Sequence, residues 1–338
     1  MNYERIFMKN KGLLIAVFFA AGLLLTGGIM MLAGRKDQNN KKQAYSTEFL
    51  TMDTVATITL YGNSDLSPVR SLIERLDKEL DRYDEDSEFC KFNSGLGTEL
   101  SGSSLEVFEQ SQELYEKYGY VDITCGGLIS LWGITGDAPR VPEKYEIEQE
   151  LAKIGFDKIE HNGTHINSSV GTKLDAGAVA KGYALDKAKQ VLEDNKDECA
   201  VVSLGSSTLL FGKKPDGSQF SVGIKDPFSP DKLYATFETD EAFVSTSGGY
   251  ERFFEADGKR YIHILDLETG CPSESDLASV TVIADSGIKS DFLSTAIFLA
   301  GSENLQKYLD DDSIKVIAID SKGSMSCSSS LDGMIKLK

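Results

Sequence analysis

Residues 174–186, read L-D-A-G-A-V-A-K-G-Y-A-L-D, place a carboxylate, a run of small residues and a lysine at the start of a predicted helix. Asp175 precedes Ala176 and Gly177, where a backbone without bulky side chains allows a ligand to approach closely. The free N–H groups at a helix N-terminus favour phosphate, and Lys181 adds a positive charge there. The same residues also suit an Asp N-cap on an Ala-rich buried helix, so both interpretations remain open.

A second polar group lies on the predicted helix 288–300. Asp291 and Thr295 are four residues apart and share one face, and Ser294 lies on nearly the same face. The rest of this helix is apolar nearly all round, which predicts burial, and a buried carboxylate needs a partner. Carboxylate and hydroxyl oxygens suit Mg²⁺, which bridges phosphate oxygens. The alternative is that Asp291 pairs with a lysine and Thr295 hydrogen-bonds back to its own helix.

A histidine is the third candidate for chemistry. His263 lies in a predicted strand, residues 260–265, shortly before Asp266. A side chain with a pKa near neutrality is able to take a proton from an attacking hydroxyl. A lone strand histidine also often serves only as a hydrogen-bonded structural residue, and the residues alone do not decide between these roles.

The elements that must position these residues mix helices and strands without strict alternation. Helical periodicity predicts helices over residues 69–80, 103–118, after 142, over 176–192 and over 288–300. Predicted strands cover residues 55–61, 200–204, 220–224, 234–238, 243–246, 260–265, 278–284 and 314–319, with a hairpin at 156–167. Ser103 and Glu106 are spaced as a capping box. The irregular order favours an α+β fold over a doubly wound sheet.

Composition excludes several classes of protein. The 338-residue chain has 53 acidic and 35 basic residues, a net charge of −18, and no basic run beyond its N-terminal region, so nucleic acid is not an expected partner. Five widely spaced cysteines form no metal-ligand spacing, and we expect free thiols, with a Cys125–Cys271 disulfide as the alternative. The His161 and His165 side chains flank a turn and are expected at the surface.

The N-terminal region predicts a membrane anchor. Residues 12–34 form a run of 23 uncharged residues, which would span about 35 Å as a helix at about 1.5 Å per residue. Basic residues precede the run and favour a cytoplasmic N-terminus, although others follow it. No cysteine precedes Cys90, which argues against a lipid anchor. We therefore expect an uncleaved single-pass anchor at 1–35, a tether at 36–44 and an extracytoplasmic domain at 45–338.

Four motifs in order resemble one protein family. Three further segments accompany segment 174–186. They are D-I-T-C-G-G-L-I-S-L-W-G at 122–133, S-T-S-G-G-Y-E-R-F-F-E-A-D-G-K-R-Y-I-H-I-L-D-L-E-T-G-C-P at 245–272 and S-D-F-L-S-T-A-I-F-L-A-G at 290–301. Together they resemble the ApbE family of FAD:protein FMN transferases, over about residues 52–301. The resemblance implies an α+β, T-fold-related mixed fold in which FAD lies between sheet-containing lobes.

The resemblance also implies roles for individual residues. It makes Asp291 and His263 catalytic, with His263 as general base. Its metal ligands are Ala178 through its carbonyl, Asp291, Ser294 and Thr295. Its FAD contacts are Met52, Tyr83, Tyr120, Val121, Asp122, Asp175, Lys181 and Leu265. The chain departs from the family where Asp53 replaces a glycine, where Ser294 stands for the second Asp of some members, and where S-L-G-S-S at 203–207 replaces N-L-G-G-N.

The activity implied by the resemblance is a Mg²⁺-dependent transfer of FMN. FAD would be the substrate, AMP would leave, and a Thr or Ser hydroxyl of an acceptor electron-transfer flavoprotein would receive FMN. With water as nucleophile, the same site would be an FAD pyrophosphatase. A non-catalytic extracytoplasmic flavin-binding protein is a further alternative, but such a protein has no need of a metal site together with a base.

Overall fold

The computed structural model describes residues 43–136 and 138–338. The predicted anchor at 1–35 lies outside the described residues, as does most of the predicted tether. Among the helices that are described, none combines the length and the apolar character needed to cross a bilayer.

The described part of the chain mixes short strands with helices of very different lengths. The helices are α1 (Ser67–Leu80), α2 (Glu88–Asn93), α3 (Gly102–Tyr118), α4 (Gly126–Trp132), α5 (Lys144–Leu151), α6 (Ala180–Asp194), α7 (Gly287–Ala300) and α8 (Gln306–Leu309). The strands are β1 (Ala44–Thr51), β2 (Thr54–Tyr61), β3 (Glu160–Asn162), β4 (His165–Asn167), β5 (Cys199–Leu204), β6 (Ser207–Gly212), β7 (Phe220–Asp226), β8 (Ser229–Thr239), β9 (Ala242–Gly248), β10 (Phe253–Ala256), β11 (Lys259–Ile262), β12 (Leu265–Asp266), β13 (Cys271–Pro272), β14 (Leu277–Ala284), β15 (Lys315–Asp320), β16 (Met325–Cys327) and β17 (Lys336–Leu337).

An antiparallel sheet organises the molecule. Its eight described strands run in the order β1-β2-β5-β6-β9-β14-β15-β16. Helices α1, α6 and α7 contribute to the main hydrophobic core on one face of this sheet. The small sheet β17-β8-β7 builds a second core with the opposite face. This layered arrangement confirms the predicted α+β class.

Helix α7 lies at the centre of the core, as its apolar sequence predicts. It contacts α6 on one side and strands β9 and β14 of the large sheet on the other. Nearly all of its side chains are buried, and these include the polar side chains of Ser290, Asp291 and Ser294. Because buried polar groups need hydrogen-bond partners, the contacts of these three residues shape the interior of the molecule.

Several predicted element boundaries are wrong. The helix predicted from 176 begins at Ala180, because residues 177–179 form a turn. The strand predicted over 260–265 is broken, and His263 lies in the bend between β11 and β12. Strands β1 and β6 were not predicted. The exposed face of β1 carries apolar Ala44 and Leu50, and β6 is buried or half-buried on both faces, so neither strand shows a strict polar and apolar alternation.

The capping box predicted at Ser103 is also wrong. Helix α3 starts at Gly102 with Ser101 at the N-cap, and no side chain caps it. Glu106 instead accepts a hydrogen bond from the Tyr183 hydroxyl at 3.0 Å and pairs with Lys187 at 2.6 Å. Tertiary partners on α6 thus replace the local contact that the spacing suggested.

Other sequence predictions are confirmed. The hairpin forms as β3 and β4, and His165 is exposed while His161 is half-buried. Glu143 and Glu146 form a capping box at the start of α5, the helix expected after Pro142. None of the five cysteines, all of which lie in the described ranges, forms a disulfide.

Candidate active site

Two glycines bring the polar segments of α6 and α7 together. A Cβ atom on Gly182 would lie 2.2 Å from the carbonyl oxygen of Gly287, and one on Gly287 would lie 2.2 Å from that of Gly182. Only glycine permits this backbone approach. The crossing brings the side chain of Asp291, one turn along α7, to the N-terminus of α6.

Asp291 has three partners in this buried position. Its Oδ2 accepts a hydrogen bond from the backbone N–H of Gly182 at 2.9 Å, and its Oδ1 accepts one from Ser207 Oγ at 2.8 Å. Lys181 Nζ lies 3.8 Å from Oδ2. The carboxylate therefore accepts from an N–H group of the first turn of α6 that has no partner within the helix. The positive end of the α6 dipole in turn stabilises its negative charge. The lysine pairing that the sequence offered as the alternative to a metal site is thus present in the structure.

The hydroxyl groups of α7 point to the neighbouring strand β9. Ser247 Oγ lies 2.8 Å from Ser294 Oγ and 2.9 Å from Thr295 Oγ1. Ser294 Oγ also donates to the backbone carbonyl oxygen of Asp291 at 2.9 Å, which is a hydrogen bond within its own helix. These contacts gather three hydroxyl oxygens between α7 and β9.

The Asp291 carboxylate already attracts one positive charge, the side chain of Lys181. Lys181 places its ammonium group near Oδ2 and donates to the carbonyl oxygen of Gly177 at 3.5 Å, so a positive charge already lies between the carboxylate and the turn that contains Ala178. In the described residues, no three His, Cys, Asp or Glu side chains form a metal-binding group. A metal here would use one carboxylate, hydroxyl and backbone oxygens, and water, which suits Mg²⁺.

His263 is held in a defined orientation. Its Nδ1 lies 3.1 Å from the carbonyl oxygen of Arg252, which can only accept, so Nδ1 carries the proton. Nε2 is then the basic nitrogen. Burial lowers the pKa of His263 to about 4, and the charges of Arg252 and Lys181 contribute to this shift. The imidazole is therefore neutral at physiological pH, as a general base must be.

An ion pair that the sequence analysis missed fixes the turn before α6. Arg82 Nη1 donates to Asp175 Oδ2 at 2.8 Å, and Arg82 Nη2 donates to Ser130 Oγ at 2.6 Å. Asp175 Oδ1 accepts from the N–H of Gly177 at 2.8 Å. Asp175 is thus not the helix N-cap. No local pattern could reveal this contact, because Arg82 and Asp175 are 93 residues apart.

The turn between β1 and β2 has a left-handed backbone geometry that favours glycine. Met52 and Asp53 both have positive φ angles, +47° and +53°, as a two-residue type I′ hairpin turn requires. Asp is among the residues that tolerate this region. Arg252 Nη2 donates to the carbonyl oxygen of Asp53 at 2.5 Å, which connects this turn to the residue that orients His263.

Comparisons with known proteins agree with this arrangement. The model of the ApbE family matches residues 52–318. The chain belongs to the ApbE family. An FAD:protein FMN transferase of Treponema pallidum is 28% identical over 315 residues, covering 85% of this chain and 86% of that protein. One from Klebsiella pneumoniae is 30% identical over 271 residues, covering 77% and 84%.

Solved structures of ApbE proteins share the fold. The ApbE protein of Thermotoga maritima superposes with a TM-score of 0.79 at 29% identity, covering 86% of this chain and 99% of that one. The flavin transferase ApbE from Vibrio cholerae has a TM-score of 0.76 at 25% identity, with coverage of 87% and 99%. The mixed α and β architecture is therefore that of the flavin transferases.

The predicted FAD contacts of this ApbE chain lie in several different environments. Leu265 is buried beside Trp132 and lines, with His263, a small cavity. Tyr83 is 67% exposed, and its ring lies 5.1 Å from the guanidinium of Arg82. The Tyr83 ring is therefore accessible to a planar ligand next to the Arg82–Asp175 pair.

The segment 120–122 is divided between two environments. Asp122 is buried, accepts from the N–H of Thr124 at 2.8 Å, and has a pKa that burial raises. It joins the turn before α6 through the adjacent Ile123, whose carbonyl accepts from the N–H of Asp175 at 2.7 Å. Val121 belongs to the core, and the ring of Tyr120 instead lies 5.6 Å from Lys307 Nζ on α8.

Two further residues of the site escaped the sequence analysis. Ser207 is the hydroxyl donor to Asp291, although its segment differs from the family pattern. Glu251 is solvent-exposed, with Ser206 Oγ 3.4 Å from its carboxylate. Surrounding protein raises the pKa of Glu251, while the charge of Lys181 opposes that shift. A second carboxylate thus lies close enough to Lys181 for the two charges to interact.

A larger open cavity lies away from this group, on the side of α6 that faces the start of α7. It is lined in part by Lys187, Lys189 and Asp285. Lys187 pairs with Glu106 and Lys189 with Glu241, each at 2.6 Å. None of the predicted site residues lines this cavity, so the Asp291 group remains the better candidate.

Proposed function

We propose that this chain transfers FMN from FAD to a Thr or Ser hydroxyl of an acceptor electron-transfer flavoprotein and releases AMP. The observation that carries the proposal is the meeting of Asp291, Lys181 and the N-terminus of α6. A neutral, oriented His263 lies close enough to Lys181 for that charge to lower its pKa. FAD:protein FMN transferases among its relatives support the same reaction.

The diphosphate of FAD would lie at the start of α6. The positive end of the α6 dipole and the ammonium group of Lys181 would provide positive potential for phosphate oxygens. Asp291, Ser294, Thr295 and the carbonyl of Ala178 would hold Mg²⁺. When bound, the ion would neutralise the negative charge of the diphosphate, including the charge that develops on AMP as it leaves. Asp291 is thereby catalytic through the metal it holds.

We propose that the rest of FAD lies between the two sheet-containing parts that flank this point. Met52 and Tyr83 would contact FAD from one side, and His263 and Leu265 from the other. Tyr120, Val121, Asp122 and Asp175 complete the proposed contacts. The exposed ring of Tyr83 supports stacking on a planar group.

His263 would act as the general base. Its Nε2 accepts the proton of the acceptor hydroxyl as the hydroxyl oxygen attacks the phosphorus atom of the FMN moiety. A new P–O bond forms to the acceptor. The P–O bond to the AMP moiety breaks, and AMP leaves with the electron pair. FMN remains attached through a phosphoester.

We further propose that residues 12–34 anchor the protein in the cell membrane as a single-pass segment with the catalytic domain outside the cytoplasm. The support is the run of 23 uncharged residues with basic residues before it. The tether at 36–44 is then the only connection between the anchor and the domain that begins at residue 45.

The test is incubation of the protein with FAD, Mg²⁺ and a candidate acceptor flavoprotein. Transfer predicts covalent flavin on the acceptor, seen by in-gel fluorescence and intact mass, and AMP in equal amount. An acceptor variant with Ala at the modified hydroxyl is the control. Free FMN with AMP and no labelled acceptor would indicate a pyrophosphatase instead. Bound but unreacted FAD would indicate a flavin-binding protein.

A further inference from the structure

Asp186 on α6 caps the start of α7. Its Oδ1 accepts from the N–H of Gly287 at 2.7 Å, and its Oδ2 accepts from the N–H of Ile288 at 2.8 Å. The hydroxyl of Ser286 also donates to Oδ2, at 3.2 Å. These N–H groups belong to the first turn of α7 and have no partner within their own helix. The proposed function gives Asp186 no role.

The capping is reciprocal. Asp291 on α7 accepts from the N–H of Gly182 in the first turn of α6, while Asp186 on α6 caps the first turn of α7. Each aspartate follows a crossing glycine by four residues, as G-Y-A-L-D from Gly182 and as G-I-K-S-D from Gly287. Residues four apart share one helix face. The two carboxylates therefore hold the two helix starts against each other around the glycine contact.

We propose that Asp186 is a positioning residue for the metal site, because it fixes the start of α7 and thereby the orientation of the Asp291 carboxylate. Gly182 N–H and Ser207 each donate to one oxygen of that carboxylate, so its plane is set from two sides. Both contacts depend on where α7 begins relative to α6. The inference rests on the proposed function, in which Asp291 binds Mg²⁺.

Loss of the Asp186 carboxylate would act at a distance from the metal. Without it, the N–H groups of Gly287 and Ile288 lose their partners, and water can enter the crossing to solvate them. The start of α7 can then shift, which lengthens the bond between Asp291 and the N–H of Gly182. Removal of a group that orients a metal ligand typically lowers the metal affinity by roughly 10–100-fold.

The first experiment compares amide hydrogen exchange in the wild type, Asp186→Ala and Asp276→Ala, without FAD or metal. Asp276 is the matched control, because it accepts from the N–H of Ser302 at 2.9 Å just beyond the other end of α7. Asp186→Ala should speed exchange of the Gly182 amide. Alanine has a higher helix propensity than aspartate, so the substitution by itself would stabilise α6 and slow this exchange. Faster exchange therefore reports the lost cap.

The second experiment measures Mg²⁺ binding by calorimetry on the same proteins without FAD. Asp186→Ala should weaken binding by about tenfold or more. Asp186→Asn, which keeps one acceptor oxygen, should lie in between, and Asp276→Ala should bind as the wild type does. Unfolding temperatures measured in parallel separate these effects from a general loss of structure.

Particular outcomes would overturn the inference. Faster exchange confined to residues 287–289, with Gly182 unchanged, would make Asp186 a local cap only. Equal effects of Asp186→Ala and Asp276→Ala on Gly182 exchange and on Mg²⁺ affinity would show that Asp186 contributes only to general stability. Unchanged Mg²⁺ affinity in Asp186→Ala would contradict the inference alone. Absence of Mg²⁺ binding by the wild type would contradict the metal site of the proposed function, and the inference with it.

Discussion

At the scale of single residues, the surroundings of His263 decide whether it is a usable base. The carbonyl of Arg252 fixes the proton on Nδ1, and burial with two nearby cations holds the pKa at about 4. A histidine with an ordinary pKa would lose half of its basic form near pH 6.5. This histidine keeps its basic form in mildly acidic solution.

The pH dependence of kcat/KM for FAD should therefore show no loss of activity attributable to His263 near pH 6.5. The free enzyme governs this quantity, and its His263 becomes protonated only as the pH falls through about 4. The profile should be measured from pH 4.5 to 8 at saturating acceptor and Mg²⁺. An acid limb with a midpoint between 6 and 7 that disappears in a His263 variant would contradict this assignment.

Substitution of the same residue should separate binding from transfer. His263→Ala should bind FAD with nearly the wild-type affinity, because Lys181 and the N-terminus of α6 remain in place. Its transfer rate should fall by about 10²-fold or more, which is typical for loss of a positioned base. Flavin fluorescence and FMN attachment, measured on the same samples, test both statements. Equal losses in both quantities would make His263 a binding or structural residue.

Local spacing predicted part of the residue-scale arrangement. The four-residue spacing of Asp291 and Thr295 placed them on one face of a buried helix, and both contact polar groups there. The pairing of Arg82 with Asp175 was not predictable, because it depends on how distant segments pack. Ser207 was missed for the same reason, since a serine in a strand carries no signal of its partner.

At the scale of elements, the crossing of α6 and α7 is the feature on which the site depends. The sequence predicted both helices but not their contact, because a glycine in a helix signals only that some neighbour comes close. The helix predicted from 176 in fact starts at Ala180, since the side chain of Asp175 bonds to Gly177 and favours a turn. The Ala-rich composition of the segment could not reveal that competition.

Gly182→Ala should disrupt this crossing. The new methyl group would lie 2.2 Å from the Gly287 carbonyl oxygen and 2.7 Å from Asp291 Cβ, so the helices must separate. Overpacking of this kind costs about 1–3 kcal/mol in unfolding free energy. Denaturant unfolding should show this loss, and FMN transfer should fall with it because Asp291 moves.

The matched control for that substitution is Gly127→Ala on α4. There the new methyl group would meet only the end of the Glu150 side chain, which can move away. Its stability should be unchanged or slightly higher, since alanine favours helix. Wild-type stability in Gly182→Ala would show that α6 and α7 are not held as closely as described.

At the scale of the whole molecule, one large sheet with a core on each face supports the helical layer in which α6 and α7 cross. The α+β class followed from the irregular order of elements, but the sheet order did not, because strand pairing between distant segments leaves little trace in a single sequence. The membrane segment stays a prediction from the sequence, as it lies outside the described residues.

The full chain should remain in the membrane fraction after expression in a Gram-positive host, whereas a form lacking residues 1–35 should be released. The uncharged run at 12–34 is long enough to span a bilayer. Fractionation followed by mass spectrometry of the N-terminus tests this. A mature N-terminus near residue 34 would show that the segment is a cleaved signal instead.

The central claim is that Asp291 holds the Mg²⁺ that enables FMN transfer. The most direct test is a Mg²⁺ titration of covalent FMN attachment, comparing the wild type with Asp291→Ala. Asp285→Ala is the control, since Asp285 is an exposed carboxylate just before the same helix. The account predicts metal-dependent transfer in the wild type and the control, and loss of transfer in Asp291→Ala while the protein stays folded. Transfer that persists in Asp291→Ala, or that resists chelation in the wild type, would contradict it.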